Sequence, residues 1–209
     1  MVSHQGAVAT APSLLNFFLQ ALGQLTTLTH LTLVLHSRLD SGELTRLSSL
    51  TALQSLSFAG SPSAGFPPQA FHALRQLTSL ELEDLGWGKP HPQLTAAHLS
   101  ACTALRRLCL PSTTQQVQLQ LPGPGPGAFQ HLEELEVALG LNDQHAASWR
   151  VLPMLPCLRR LRVEFVSGEL SAVLRECLPA CPRLASLQLS HYTEPVLPGL
   201  PSTLTSLTL

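Results

Sequence analysis

Apolar positions along this chain fall three, three and then two residues apart, in a phrase Leu-x-x-Leu-x-x-Leu-x-Leu that recurs to its last residue. It reads Leu25, Leu28, Leu31, Leu33; Leu50, Leu53, Leu56, Phe58; Leu74, Leu77, Leu80, Leu82; and Cys102, Leu105, Leu108, Leu110. It continues as Phe129, Leu132, Leu135, Val137; Leu155, Leu158, Leu161, Val163; Cys181, Leu184, Leu187, Leu189; and a partial Leu200, Leu204, Leu207, Leu209. The closing two-residue step predicts a short strand in each copy, its anchors inward and the residue between them outward. Third anchors lie 25, 24, 28, 27, 26, 26 and 20 residues apart, leaving room for a return segment in each copy. Several returns carry helix signals. Asp40 and Ser41 are placed to cap Gly42 to Leu50, with Glu43 completing a capping box. Pro67 and Pro68 suit the first turn of a helix from Gln69 to Leu77. Thr95 to Ala101, Gln144 to Val151 and Glu169 to Cys177 have helical apolar spacing. Leu15, Phe18, Leu19, Leu22 and Leu25 form the apolar stripe of a first, capping helix within residues 1–24.

On these repeats the whole chain, residues 1–209, resembles a single leucine-rich-repeat domain of eight copies. Copy lengths near 26, with Cys or Leu opening the phrase, resemble the cysteine-containing and ribonuclease-inhibitor-like subclasses. The expected fold is an α/β solenoid. Strand, helix and parallel strand in succession give a right-handed coil. Strands about 4.8 Å apart against helices about 8–10 Å apart bend the stack into a horseshoe, with strands on the concave face and helices and loops on the convex face. Two returns break the pattern. Residues 111–128 hold Gln115, Gln116, Gln118, Gln120 and an alternating Pro-Gly run, which predicts a solvent loop inserted on the convex side. Residues 190–203 are too short and Pro-rich for a helix. The Asn or Cys that such repeats carry three residues past the strand is also replaced, by His36, Ser61, Leu85, Thr113, Gly140, Val166 and Tyr192. Leu209 is an inward anchor with no polar cap after it, which predicts a fragment of a longer product or self-association through the uncapped strand.

Charge narrows the partner. A net charge of −1 leaves no basic excess for a phosphate backbone, so nucleic acid is not the expected ligand. Apolar stretches fall short of the roughly 20 residues of a membrane span. Leu14 to Leu19 resembles a signal-peptide core, but Met1 to Ser13 contains no Lys or Arg. Five cysteines at no paired spacing, and Asn16 and Asn142 outside glycosylation sequons, lead to an expected intracellular, cytoplasmic location. The absence of isoleucine, and one lysine against eleven arginines, is read as genomic codon bias.

The variable positions spell the concave wall. Copies four, five and six read basic, acidic, basic: Arg106, Arg107; Glu133, Glu134, Glu136; Arg159, Arg160, Arg162. Two readings stand: a docking strip for a ligand, and mutual neutralisation that fixes register between repeats. The second is favoured. Glu81, Glu83 and Asp84 lack an evident lateral partner and precede Trp87, set between Gly86 and Gly88; an acidic cluster beside an aromatic suits a basic peptide. Arg160 and Arg162 face the neutral copy seven and form a second candidate. Together with Arg106 and Arg107, these are the residues assigned to protein binding on the concave face and rim.

Catalytic chemistry finds little support. Cys177 and Cys181 stand four apart but lack the further ligands a zinc site needs, so they read as core thiols, as does Cys102. Cys109 is expected outward and modifiable. His30 and His191 read as lone surface histidines. Alternate prolines in the Gly123 to Gly127 run remove the N–H donors of a phosphate loop. No hydrolase, zincin or P-loop motif occurs, and no cofactor, metal or enzyme activity is expected. The expected function is a protein-interaction module binding a protein ligand on its concave face; the alternative is a structural array segment of a larger receptor or scaffold. The family resemblance further implies a substrate receptor of a ubiquitin ligase.

Overall fold

The structure, a computed structural model, describes residues 14–39, 41–62, 67–84, 96–110, 129–138, 146–164, 168–191 and 199–209. Trp87 and the inserted segment 111–128 lie outside these residues. Each phrase delivers its strand: β1 His30–Leu39, β2 Ser55–Pro62, β3 Ser79–Asp84, β4 Arg107–Leu110, β5 Glu134–Ala138, β6 Arg160–Glu164, β7 Ser186–Ser190 and β8 Ser206–Thr208. They form one open sheet of 8 strands in chain order, every neighbouring pair parallel. The arrangement is a solenoid-like α/β stack.

The spacing of the phrase has a direct backbone cause. Its first three-residue step is a turn closed by an i to i−3 hydrogen bond: the Leu53 N–H donates to Leu50, Leu77 to Leu74, Leu105 to Cys102 and Leu158 to Leu155. Its second carries the chain into the strand. A turn of about three residues brings side chains i and i+3 to the same side. The two-residue step that follows is strand, which keeps that side. All four anchors of a copy therefore enter one core; Leu50, Leu53, Leu56 and Phe58 are each buried, and the same holds in copies three to seven.

Copies are stitched by a repeated device. The carbonyl just before each strand accepts two N–H groups from the next copy. Thr78 oxygen takes the N–H groups of Arg106 at 2.8 Å and Arg107 at 2.9 Å, Arg106 oxygen those of Glu133 at 2.7 Å and Glu134 at 2.9 Å, and Glu133 oxygen those of Arg159 at 2.8 Å and Arg160 at 3.0 Å. The same pairing starts at Thr29 and ends at Ala185. It locks register where the strands begin, so equivalent positions align across the sheet.

The second layer is less helical than its sequence predicts. α1 Leu14–Leu22 and α4 Gly168–Cys177 are helices of full turns, while α2 Ser41–Leu44 and α3 Ala96–Leu99 are single turns. The helix expected over Gln69 to Leu77 is a 3-10 turn, Pro68–Ala70, followed by turns, and the one over Gln144 to Val151 is a 3-10 segment, Ala146–Met154. The anchor turns themselves take up part of each return. Phe71, Leu99, Trp149, Leu152, Leu170 and Leu174 from this layer close the core.

The ends depart from the expected packing. In α1 only Leu19 and Leu22 are buried among the described side chains; Phe18 and Leu25, predicted inward, are exposed, as is Phe17. The anchors Leu207 in β8 and Leu209 just past it are exposed. No described helix is long and apolar enough to cross a membrane.

Candidate functional site

The sheet has one face on the core and one open, and the open face carries the variable residues in aligned rows. One row runs His30, Ser55, Ser79, Arg107, Glu134, Arg160, Ser186, Ser206. The next, two residues on, runs Thr32, Ser57, Glu81, Cys109, Glu136, Arg162, Gln188, Thr208. The residues preceding the strands add Gln54, Thr78, Arg106, Glu133, Arg159 and Ala185.

Within β4 to β6 the charges pair laterally. Arg106 Nη1 donates to Glu133 Oε1 at 2.6 Å. Glu134 is shared, with Arg107 Nε 3.8 Å from one carboxylate oxygen and Arg160 Nη1 bonded to the other. Arg162 spreads its fork between Glu136 at 2.9 Å and Glu164, on its own strand, at 2.8 Å. Such pairs are individually weak when exposed, about 0–1 kcal/mol, but charges alternating by strand favour a neighbour of opposite sign over a mispaired strand of like sign. Arg160 and Arg162, set apart in the sequence as facing a neutral strand, turn back to β5 instead. β5 carries an acidic residue in each row, whereas β7 offers them Ser186 and Gln188.

Across β4 to β7 the open face dips into a hollow of about 160 Å³, lined by Arg107, Glu134, Glu136, Arg160, Arg162 and Gln188 among others. On the other flank, Glu81 is half-buried and Glu83 exposed on β3. Neither forms an ion pair among the described residues, and the same is true of Arg159. Asp84 ends β3 in register with Gly60, and its side chain is outside the described residues.

Cys109 corrects an expectation. It occupies an outward row position yet is 3% exposed. Its short side chain stands between Glu81 on β3 and Glu136 on β5, whose longer chains cover it. Burial, reinforced by the Glu136 and Glu81 carboxylates, pushes its thiol up to about 12. Cys177 and Cys181 are buried in the second layer, where the Cys181 thiol donates to the Cys177 carbonyl at 3.4 Å. Among the described residues no cluster of three or more His, Cys, Asp or Glu is placed to hold a metal ion.

The sequence reading missed Glu164, which holds one arm of Arg162. Its signal was there: it is the next outward position after Arg162 on β6. The chain matches no protein-family model and no curated protein.

Proposed function

We propose that this chain is a protein-interaction module: a leucine-rich-repeat horseshoe that presents the open face of its strands to a protein ligand. The observation that carries this reading is the division of labour along β2 to β7. Anchors are apolar and buried, while the intervening positions vary in charge and size and lie in register on one accessible face. An array of side chains held in register by paired strands presents pre-ordered positions, which lowers the entropy lost on binding. The polar groups are spread along rows rather than converging on one point, which favours recognition over catalysis. The reading places Glu81, Glu83, Asp84, Trp87, Arg106, Arg107, Arg160 and Arg162 on the binding face and its rim, in an intracellular setting. The cysteine-containing or ribonuclease-inhibitor-like subclass, and with it a substrate-receptor role, belongs to the same proposal.

A second reading is favoured by one specific observation, the self-neutralising lattice of β4 to β6. On that reading the charges serve register alone and the chain is a structural segment of a larger scaffold.

One experiment separates the two. The immobilised chain is exposed to cell lysate, beside a variant with Ser79→Arg and Ser186→Arg on the open face and a variant with Arg150→Glu on the opposite layer, where Arg150 pairs with Glu176 at 3.1 Å. The binding reading expects a set of proteins recovered by wild type and by Arg150→Glu and lost from the face variant. Equal recovery from all three overturns it.

A further inference from the structure

The ion pairs do not neutralise the open face evenly. Acidic charge is left over on β3, where Glu81 and Glu83 form no ion pair among the described residues. Basic charge is left over at the start of β6, where Arg159, just before the strand, forms no ion pair among the described residues and Arg160, with its side chain 68% exposed, has only a share in Glu134. The strands outside these two are small and neutral on this face: Ser55, Ser57 and Ala59 on β2, and Ala185, Ser186 and Gln188 beside and on β7. Each surplus therefore borders open space. On the basic side the hollow that crosses β4 to β7 reaches Arg160, Ser186 and Gln188.

Resting on the protein-binding reading above, the geometry points to a partner segment of segregated charge, with a Lys/Arg cluster seated on Glu81 and Glu83 and an Asp/Glu cluster seated on Arg159 and Arg160. The separation follows from the register. Arg160 aligns through Glu134 and Arg107 with Ser79, so Glu81 and Glu83 lie two and four residues further along. Three strand spacings across and about three residues along place the two centres roughly 18 Å apart. An extended segment rising about 3.3 Å per residue spans that distance in about five residues. The paired charges between the two ends offer nothing to a partner of uniform sign. A wholly basic segment meets Arg159 and Arg160, and a wholly acidic one meets Glu81 and Glu83, each a like-charge contact that disfavours the wrong ligand.

The test is selection of a random peptide library displayed on phage against the immobilised chain. Enriched peptides are then measured individually against Glu81→Lys with Glu83→Lys, against Arg159→Glu, and against the blocked face with Ser79→Arg and Ser186→Arg. Neither charge variant breaks an ion pair among the described residues, and unchanged melting confirms that both fold. The expected peptides carry basic and acidic clusters separated by about five residues. Each charge variant should weaken them about ten-fold, with recovery when the matching cluster on the peptide is reversed. Enriched peptides that need the open face but show no charge segregation, or that ignore both charge variants, overturn this inference and leave the binding reading standing. Selection that yields no peptide sensitive to the blocked face overturns both.

Discussion

Cys109 and Glu136 are register partners on adjacent parallel strands, and the carboxylate both covers the thiol and opposes its ionisation. Cys102 and Cys181 are likewise pushed up to about 12, by burial in the core. In all three the folded chain holds the proton more tightly than the unfolded chain, where the ordinary value is 9.0. Stability from this source is intact below pH 9 and declines as pH rises towards 12, because the unfolded chain releases protons first. Urea titrations repeated across that range should show a falling midpoint. Replacing all three residues by Ala should flatten the fall; an unchanged slope would mean the thiols are not its source.

The same protection sets chemical reactivity. Cys157 is the one half-buried cysteine, the other four being buried. At about pH 8 iodoacetamide should label Cys157 first and reach the rest only after denaturant is added, since the thiolate is the reactive form. Mass spectrometry of a timed digest checks the order. Early labelling of Cys109 would show that Glu81 and Glu136 do not cover it.

Glu134 joins β4 to β6 through Arg107 and Arg160. Glu134→Arg places three guanidinium groups side by side and should destabilise by about 1–2 kcal/mol, beyond the roughly ±0.5 kcal/mol of an ordinary surface change. Glu134→Gln should cost less. Added salt should shrink the gap between the two variants, because exposed charges are screened. Denaturant melts at low and high salt decide it, and a loss within the ordinary range would remove the register-fixing role.

Trp149 is 0% exposed, and its Nε1–H has no acceptor among the described residues. A buried unsatisfied donor costs about 1–3 kcal/mol, so Trp149→Phe discards that cost along with some volume. It should therefore destabilise by less than about 1.5 kcal/mol, against about 3–5 kcal/mol for Trp149→Ala. Comparable losses for Phe and Ala would indicate that the indole N–H is satisfied in solution.

Anchor leucines should differ by position. Leu135 is 1% exposed and Leu207 is 43% exposed, although both are the third anchor of their copies. Leu135→Ala should cost about 2–5 kcal/mol and Leu207→Ala well under 1 kcal/mol. Equal costs in urea unfolding would mean that β8 is covered in solution by something the open sheet lacks.

The strands, their order and the inward anchors were legible in the sequence because each rests on local spacing: three residues per turn, then two per strand step. The basic, acidic, basic order of copies four to six was equally plain, and so was α4, whose apolar spacing runs for several turns. Other features depended on lengths that no local pattern encodes. The Gln69 to Leu77 stretch has helical chemistry but must also supply the turns at Leu74 and Leu77, so it closes as a 3-10 turn. Phe18 has the period of a core residue, yet the first copy has no preceding copy among the described residues to receive it.

Sequence alone thus determined the repeat, the parallel strand order and which residues share a face, since these follow from chain geometry within one copy. Tertiary structure decided what each outward residue meets: that Arg160 and Arg162 turn to β5, that Cys109 is covered, and that Glu81, Glu83 and Arg159 are left without ion partners among the described residues. Those outcomes turn on side-chain reach across strand spacings of about 4.8 Å, between residues roughly 25 positions apart in the chain.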